Sequence, residues 1–304
     1  MPLTKLTFRP GINKETTSYS NEGGWFDSDK VRFRAGFPEK IGGWLKRTRQ
    51  AFLGSGRALH NWITLDNSRL IGLGTHLKYY VLEGGTFFDI TPIRSSVTGE
   101  ATFAATNGSS TITVTDSGHG AVLDDFVTFS SVSSLGGVIT AAVLNQEYQI
   151  TAVPSTSTYT IEARSSGTPI SSITTTTGLN PTPVTANGSD NGNGGGSTVA
   201  KYQLNIGLDV AVPGTGWNAG EWSRGTWGSS ADTAVSISNL RIWTHDNFGE
   251  DLLINVRDGQ ICYWDFSAGV TNRAVLLSTL ANANSTPTIA KQVLVSDIDR
   301  HVIA

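Results

Sequence analysis

A chain that repeats one strand–turn–strand unit is confined to stacked or radially arranged sheets, and this sequence carries such a repeat. LHNWITLDNSRLIGLGTHLKYYVLEGG starts at Leu59, and LRIWTHDNFGEDLLINVRDGQICYWDFSAGV starts at Leu240. In each, an apolar stretch with a Trp (Trp62, Trp243) runs into an Asp-Asn pair, Asp66-Asn67 or Asp246-Asn247, which predicts a turn. Asp and Asn suit turns because their side chains bond the nearby backbone and tolerate left-handed conformations. A second apolar strand follows, Leu70 to Leu73 or Leu252 to Val256, then an aromatic strand, Leu77 to Leu82 or Ile261 to Phe266. The last residues read as a third copy cut short. Val293 to Val295 is its first strand, Ser296 to Asp299 its turn and Arg300 to Ala304 its second strand, with Arg300-His301-Val302-Ile303 falling where Arg69-Leu70-Ile71-Gly72 fell. Such three-stranded units predict β-propeller blades. Three incomplete blades leave an open edge that attracts other strands, so the chain is expected to be part of a longer protein or to have that edge covered by neighbours.

Between the two longer copies the composition changes. No Trp occurs between Trp62 and Trp217, and from Ser95 to Ala200 the only Lys or Arg is Arg164. ATFAA, TITVT (Thr111 to Thr115), DFVTF (Asp125 to Phe129), EYQITAV (Glu147 to Val153) and TYTIEA (Thr158 to Ala163) alternate with period two. That pattern predicts an inserted small β-barrel or sandwich. NGSDNGNGGGST, 187–198, reads as a flexible return linker. The expected organisation is therefore all-β: a docking arm over 1–58, a first blade over 59–93, the insert over 94–186, the linker over 187–200, and further blades over 201–304.

Charge is segregated along the chain. The net charge is −3, yet residues 1–60 hold 11 of the 22 Lys and Arg against 5 acids. Such a basic arm reads as a solvated face or as a docking surface for an acidic partner, and nucleic-acid binding fits less well on an otherwise acidic chain. A single cysteine, Cys262, excludes an internal disulfide and a thiolate metal cluster. No apolar run approaches a membrane span and no secretory h-region opens the chain, which predicts a soluble, unsecreted protein without membrane insertion. The sequons at Asn107, Asn187 and Asn284 then carry no weight.

Candidate chemistry is sparse. HDNFGED (His245, Asp246, Glu250, Asp251) holds the densest set of ligand-type side chains, but it sits in a repeat whose other copy, LDNSR, lacks His, so a polar turn accounts for it. The tract at Asp190 has Gly192 where a calcium loop needs a ligand, and no closing Glu. His60, His76 and His119 read as structural hydrogen-bonding side chains. No GxSxG, HExxH, Walker loop or dinucleotide fingerprint occurs. No catalytic, cofactor-binding or metal-binding residue is assigned, and an enzyme is not expected. GTGWNAGEWSRGTW, 214–227, spaces Trp217, Trp222 and Trp227 five apart, so they cannot share one face of a regular element. They either fill gaps between blades from a Gly-supported loop or form a sugar-stacking surface.

The segment PGINKETTSYSNEGGWFDSDKVRFRAGFPEKIGGW, 10–44, resembles the opening of tail proteins of tailed bacteriophages, particularly the nozzle or hub class of short-tailed phages. The likeness lies in Pro10-Gly11-Ile12, Glu22-Gly23-Gly24-Trp25, Val31-Arg32-Phe33-Arg34, Pro38-Glu39-Lys40 and Gly42-Gly43-Trp44. The Gly/Trp segment and the repeat from Leu240 are similar to the same group. The insert resembles a recurrent phage-tail β-module through Thr113 to Gly120, Asp125 to Phe129, Leu144 to Ile150 and Tyr159 to Ile161. It is also similar to a β-domain of ubiquitin-activating enzymes, but it lacks cysteine and no such chemistry carries over. The resemblance implies a virion structural protein, assembled in the host cytoplasm as a homo-oligomer, a hexamer, below the portal and adaptor rings. It implies further contacts with tail fibre or needle proteins and a conduit through which DNA passes without tight binding. Bound phosphates would slow passage, so a neutral or acidic lumen is expected. The arm around Trp25, Arg32, Arg34 and Trp44 would anchor to the ring above. The alternative is a receptor- or glycan-binding tail protein using Trp217, Trp222 and Trp227 or the insert. Members of the nozzle class complete a propeller, which this chain does not.

Overall fold

The computed structural model describes residues 9–17, 19–43, 45–48, 50–165, 182–209, 240–283, 285–296 and 298–304. They are almost entirely β and fall into two compact units, one ending at Arg47 and one starting at Thr48. The first unit holds a hairpin of β1 (Val31–Arg34) and β2 (Phe37–Lys40). Its two-residue turn, Ala35-Gly36, has φ of 49° and 83°, the left-handed pair that matches the twist of the flanking strands.

The second unit begins with a covering segment. Residues 48–58, expected in the arm, belong here instead: the Leu53 N–H donates to Tyr80 Oη at 3.2 Å, and Phe52 packs edge-on to Phe87 at 5.6 Å. The first blade is an antiparallel meander of β3 (Gly56–Ile63), β4 (Arg69–Thr75), β5 (Tyr79–Glu83) and β6 (Thr86–Asp89). The insert then supplies β7 (Ile93–Thr98), β8 (Thr102–Ala105), β9 (Thr111–Thr115), β10 (Phe126–Ser130), helix α1 (Ala141–Leu144), β11 (Glu147–Ser155), β12 (Thr158–Glu162) and β13 (Val199–Gln203). The second blade is a meander of β14 (Trp243–Phe248), β15 (Asp251–Val256), β16 (Ile261–Trp264) and β17 (Val275–Leu276). A hairpin of β18 (Leu294–Val295) and β19 (Val302–Ile303) follows.

The insert is one seven-stranded sheet, β7-β13-β10-β11-β12-β9-β8, curled into a half-barrel around a core that includes Phe103, Ile112, Phe129, Tyr148, Ile150 and Tyr159. Register shifts in β11 after Ile150 and Ala152 supply local bends of the kind that let a sheet curl. Thr140 caps α1 by accepting from the Val143 N–H, and the helix delivers Val143 and Leu144 to the core. The 187–200 tract is not a free linker. Asp190 is buried and accepts from the backbone N–H groups of Gly137, Ile139 and Asn187 at 2.9 Å and of Val138 at 3.2 Å, and Val199 already opens β13. Burial pushes the Asp190 pKa up, but these N–H donors outweigh it and hold the carboxyl below its usual range.

The blades stack face to face, with β14 packed beside β3 on one side and β18 on the other. Trp62, Leu70, Tyr79 and Val81 of the first blade meet Trp243, Leu252, Ile254, Cys262 and Trp264 of the second. The opposite face of the second blade, with Phe248, Leu253, Ile261 and Tyr263, meets Ala290, Val293 and Val295.

Several details of the repeat are corrected by this stacking. Each blade has four strands rather than three, because β6 and β17 extend the meander. Trp62 and Trp243 are not equivalent: both enter the same interface, from opposite sides. Asp246-Asn247 lies within the paired strand β14, and the turn is Gly249-Glu250, since Phe248 pairs with Asp251. In the third copy Val302, not Arg300, stands where Arg69 does, because Val295 pairs with Val302 as Ile63 pairs with Arg69.

Candidate functional site

The densest charged cluster among the described residues lies where both blades meet the insert. Lys78, at the start of the aromatic strand of the first blade, has no exposed side-chain surface. Its Nζ lies 2.6 Å from Asp89 Oδ2 and 2.8 Å from both carboxylate oxygens of Glu147, which opens β11 of the insert. Arg273 of the second blade completes the set, with Nη1 at 2.6 Å from Asp89 Oδ1 and Nη2 at 3.1 Å from Glu147 Oε1. Thr91 Oγ1 donates to Asp89 at 2.6 Å, and Gln203 Nε2 donates to Glu147. The Lys78 ammonium also lies 4.2 Å from the centre of the Phe126 ring. Two cations and two carboxylates thus neutralise one another in a site largely closed to water.

Electrostatics follow from that closure. Burial raises the Asp89 pKa, but Lys78 and Arg273 outweigh it and the carboxyl stays depressed. For Arg273 burial favours the neutral form, while Asp89 and Glu147 outweigh it and raise the guanidinium pKa. Every carboxylate oxygen already accepts from a fixed donor, so the cluster acts as a clasp joining three sheets rather than as an acid or base. Sequence reasoning missed it because its members, at 78, 89, 147 and 273, share no linear spacing. The available signal was a lysine inside the apolar run LKYYVL, which predicts a buried partner.

The sequence-derived polar cluster resolves into structural roles. The Asp246 carboxylate accepts from the Val295 N–H at 2.8 Å, Glu250 from the Leu65 N–H at 2.7 Å, and Asp251 from Tyr263 Oη at 2.5 Å. His245 faces His60 across the blade junction with ring centres 4.7 Å apart, and His60 Nε2 lies 2.6 Å from Asn247 Oδ1. Burial, then the neighbouring His60, lowers the His245 pKa to about 4, against a backbone hydrogen bond at Leu59 and the Asp246 charge. His119 is buried in the insert, where Nδ1 accepts from the Ala121 N–H at 3.0 Å. His76 Nδ1 accepts from the Ser55 N–H at 3.0 Å. Among the described residues no group of three or more His, Cys, Asp or Glu is arranged to hold a metal, and no helix is long and apolar enough to cross a membrane.

No family model matches the chain, and no curated protein matches it. Among solved structures, the phage phi92 endosialidase aligns with 86% of this chain at 10% identity and a TM-score of 0.24. The aligned part is 35% of that protein's length. A superposition this loose carries no argument about activity.

The arm residues are placed by β1. Arg32 and Arg34 lie on its exposed face, and Arg32 Nε pairs with Glu39 Oε2 at 3.0 Å across the hairpin. Val31 and Phe33 point to the other side, where Trp25 packs edge-on to Phe33 at 5.7 Å. The strand period therefore separates Trp25 from the two arginines that were expected to act with it. Trp44, and Trp217, Trp222 and Trp227, lie outside the described residues.

Proposed function

We propose that the chain is a structural subunit of a phage tail nozzle, assembling as a homohexamer beneath the portal and adaptor rings and performing no catalysis. The observation that carries this reading is the combination of stacked four-stranded blades with a hairpin that presents Arg32 and Arg34 along one open face. The likeness of 10–44 to nozzle openings supports it, as does the charge segregation, since an exposed basic face suits docking on an acidic ring. The charged clasp supports it too: a buried network with no free acceptor fixes geometry and offers nothing to a substrate.

The test is an assembly assay with Arg32→Glu combined with Arg34→Glu. Both side chains are exposed, so the fold should persist, with a loss of at most about 1 kcal/mol where Arg32→Glu faces Glu39 across the hairpin, while incorporation into tails falls at least about tenfold through like-charge repulsion. Normal incorporation would overturn the anchor role. Native mass measurement of the assembled ring reads the copy number directly.

A further inference from the structure

A cleft of about 610 Å3 lies between the insert and the second blade, within the size range of small-molecule pockets. Its walls are mostly apolar. Val122 and Leu123 come from the turn before β10, Leu208 and Leu240 from two segments joined by a parallel bridge, and Val256 from the end of β15. Val122 is 47% exposed, Leu123 54% and Leu208 39%, so three large apolar side chains face water in one hollow. Such a hollow favours a ligand with an apolar body.

One cation is set into the wall. Arg241 is partly buried, its Nη2 donates to the Asn205 carbonyl at 2.6 Å, and its guanidinium lies 5.6 Å from the Trp243 ring. The side chain passes over Gly207, where a Cβ would collide with Nε, so the glycine keeps its path open. Among the described residues no carboxylate forms an ion pair with Arg241. The acid that acts on it, Asp125, is committed elsewhere, accepting from the Val122 N–H at 2.9 Å, the Ile206 N–H at 2.8 Å and Asn205 Nδ2 at 2.6 Å. Arg94 draws on the same carboxylate, while its own hydrogen bonds go to the Gln203 and His119 carbonyls. Arg257 and Asp258, both exposed on the rim, cancel each other. Burial lowers the Arg241 pKa to about 10 against the pull of Asp125, so the group stays charged at neutral pH. Two guanidinium groups therefore share one carboxylate, and the cleft keeps an excess of positive charge.

We infer that the cleft binds a small amphipathic carboxylate, with the headgroup on the free N–H groups of Arg241 and the hydrocarbon chain against Val122, Leu123 and Val256. A guanidinium offers paired N–H donors that match a planar carboxylate, and partial burial strengthens that contact relative to water. A protein partner fits the site less well, because protein contacts spread over a broad surface while this cation sits inside a concave wall. The inference concerns the cleft alone, and the nozzle reading stands or falls without it.

Titration of the 304-residue chain with sodium octanoate, followed by calorimetry, should give a Kd at or below about 1 mM. Octan-1-ol keeps the chain and acetate keeps the charge, and each should bind at least about tenfold more weakly. Leu123→Glu should weaken octanoate binding at least about tenfold, because it puts a carboxylate into the wall. Leu123 is exposed, so this variant should melt with the parent protein. Arg241→Met should weaken octanoate binding to the same extent and leave the affinity for octan-1-ol unchanged. No octanoate binding up to about 20 mM, octan-1-ol binding as tightly as octanoate, or indifference to either substitution would each overturn the proposal. Tighter binding of acetyl-leucyl-glutamate would assign the cleft to a polypeptide and overturn it as well. So would nuclear Overhauser contacts, in the free protein, between the methyl groups of Val122 or Leu123 and the indoles of Trp217, Trp222 or Trp227, which would show the cleft filled by its own chain.

Discussion

Gly74 shows how much of the blade junction depends on a single missing methyl group. A Cβ there would lie 2.5 Å from Trp243 Cδ1, and Trp243 is held by its indole N–H, which donates to the Thr75 carbonyl at 2.6 Å. The ring cannot retreat, so Gly74→Ala should destabilise the protein by about 1–3 kcal/mol, measured by urea unfolding. His245 sets a second expectation. Its folded pKa, about 4, lies below the unfolded value near 6.5, so the unfolded chain binds the extra proton. The stability contributed is full above pH ~6.5 and drains away as pH falls toward 4. Between pH 7 and 5 the loss should be about 1–2 kcal/mol, the upper end being the full linkage value and the lower end allowing for solvent screening of the half-buried ring. His245→Gln should flatten that part of the profile; an unchanged slope would assign it to other groups, such as His76, whose pKa is also depressed by burial. At this scale the sequence was a partial guide. It placed Trp62 and Trp243 on the first strand of each copy as equivalents, but their opposite facing depends on register, which the strand period alone leaves undetermined.

Among elements, the strands of the insert were legible because TITVT, DFVTF and TYTIEA alternate cleanly and one face of their sheet is buried. The 187–198 tract was not legible. Its glycines suggested slack, while the decisive interaction is Asp190 gathering N–H groups from residues more than fifty positions away, beyond any local reading. The clasp was hidden for the same reason. It also gives the clearest energetic test, because removing one member of a buried charge set leaves another uncompensated. Glu147→Gln should cost about 3 kcal/mol and leave Lys78 and Arg273 sharing Asp89 alone. In a double-mutant cycle, Lys78→Met should relieve part of the Glu147→Gln penalty; strictly additive losses would mean that the two residues are not coupled.

For the whole molecule, the sequence disclosed an all-β chain of recurring meanders interrupted by a foreign sheet, because hydrophobic periodicity records which face is covered. It did not disclose how the sheets are joined, since that depends on contacts between distant side chains such as Lys78 and Glu147. The way the insert enters and leaves adds a last point. Ile93 and Gln203 are Cα partners in the β7–β13 ladder, so the chain departs from the first blade and returns to it through a gap one strand pair wide. Strand pairs are about 5 Å apart, so the blades see the whole insert as though it were a tight turn. A scaffold with such a doorway can exchange one cassette for another, provided the newcomer's ends sit side by side and a carboxylate arrives to greet Lys78.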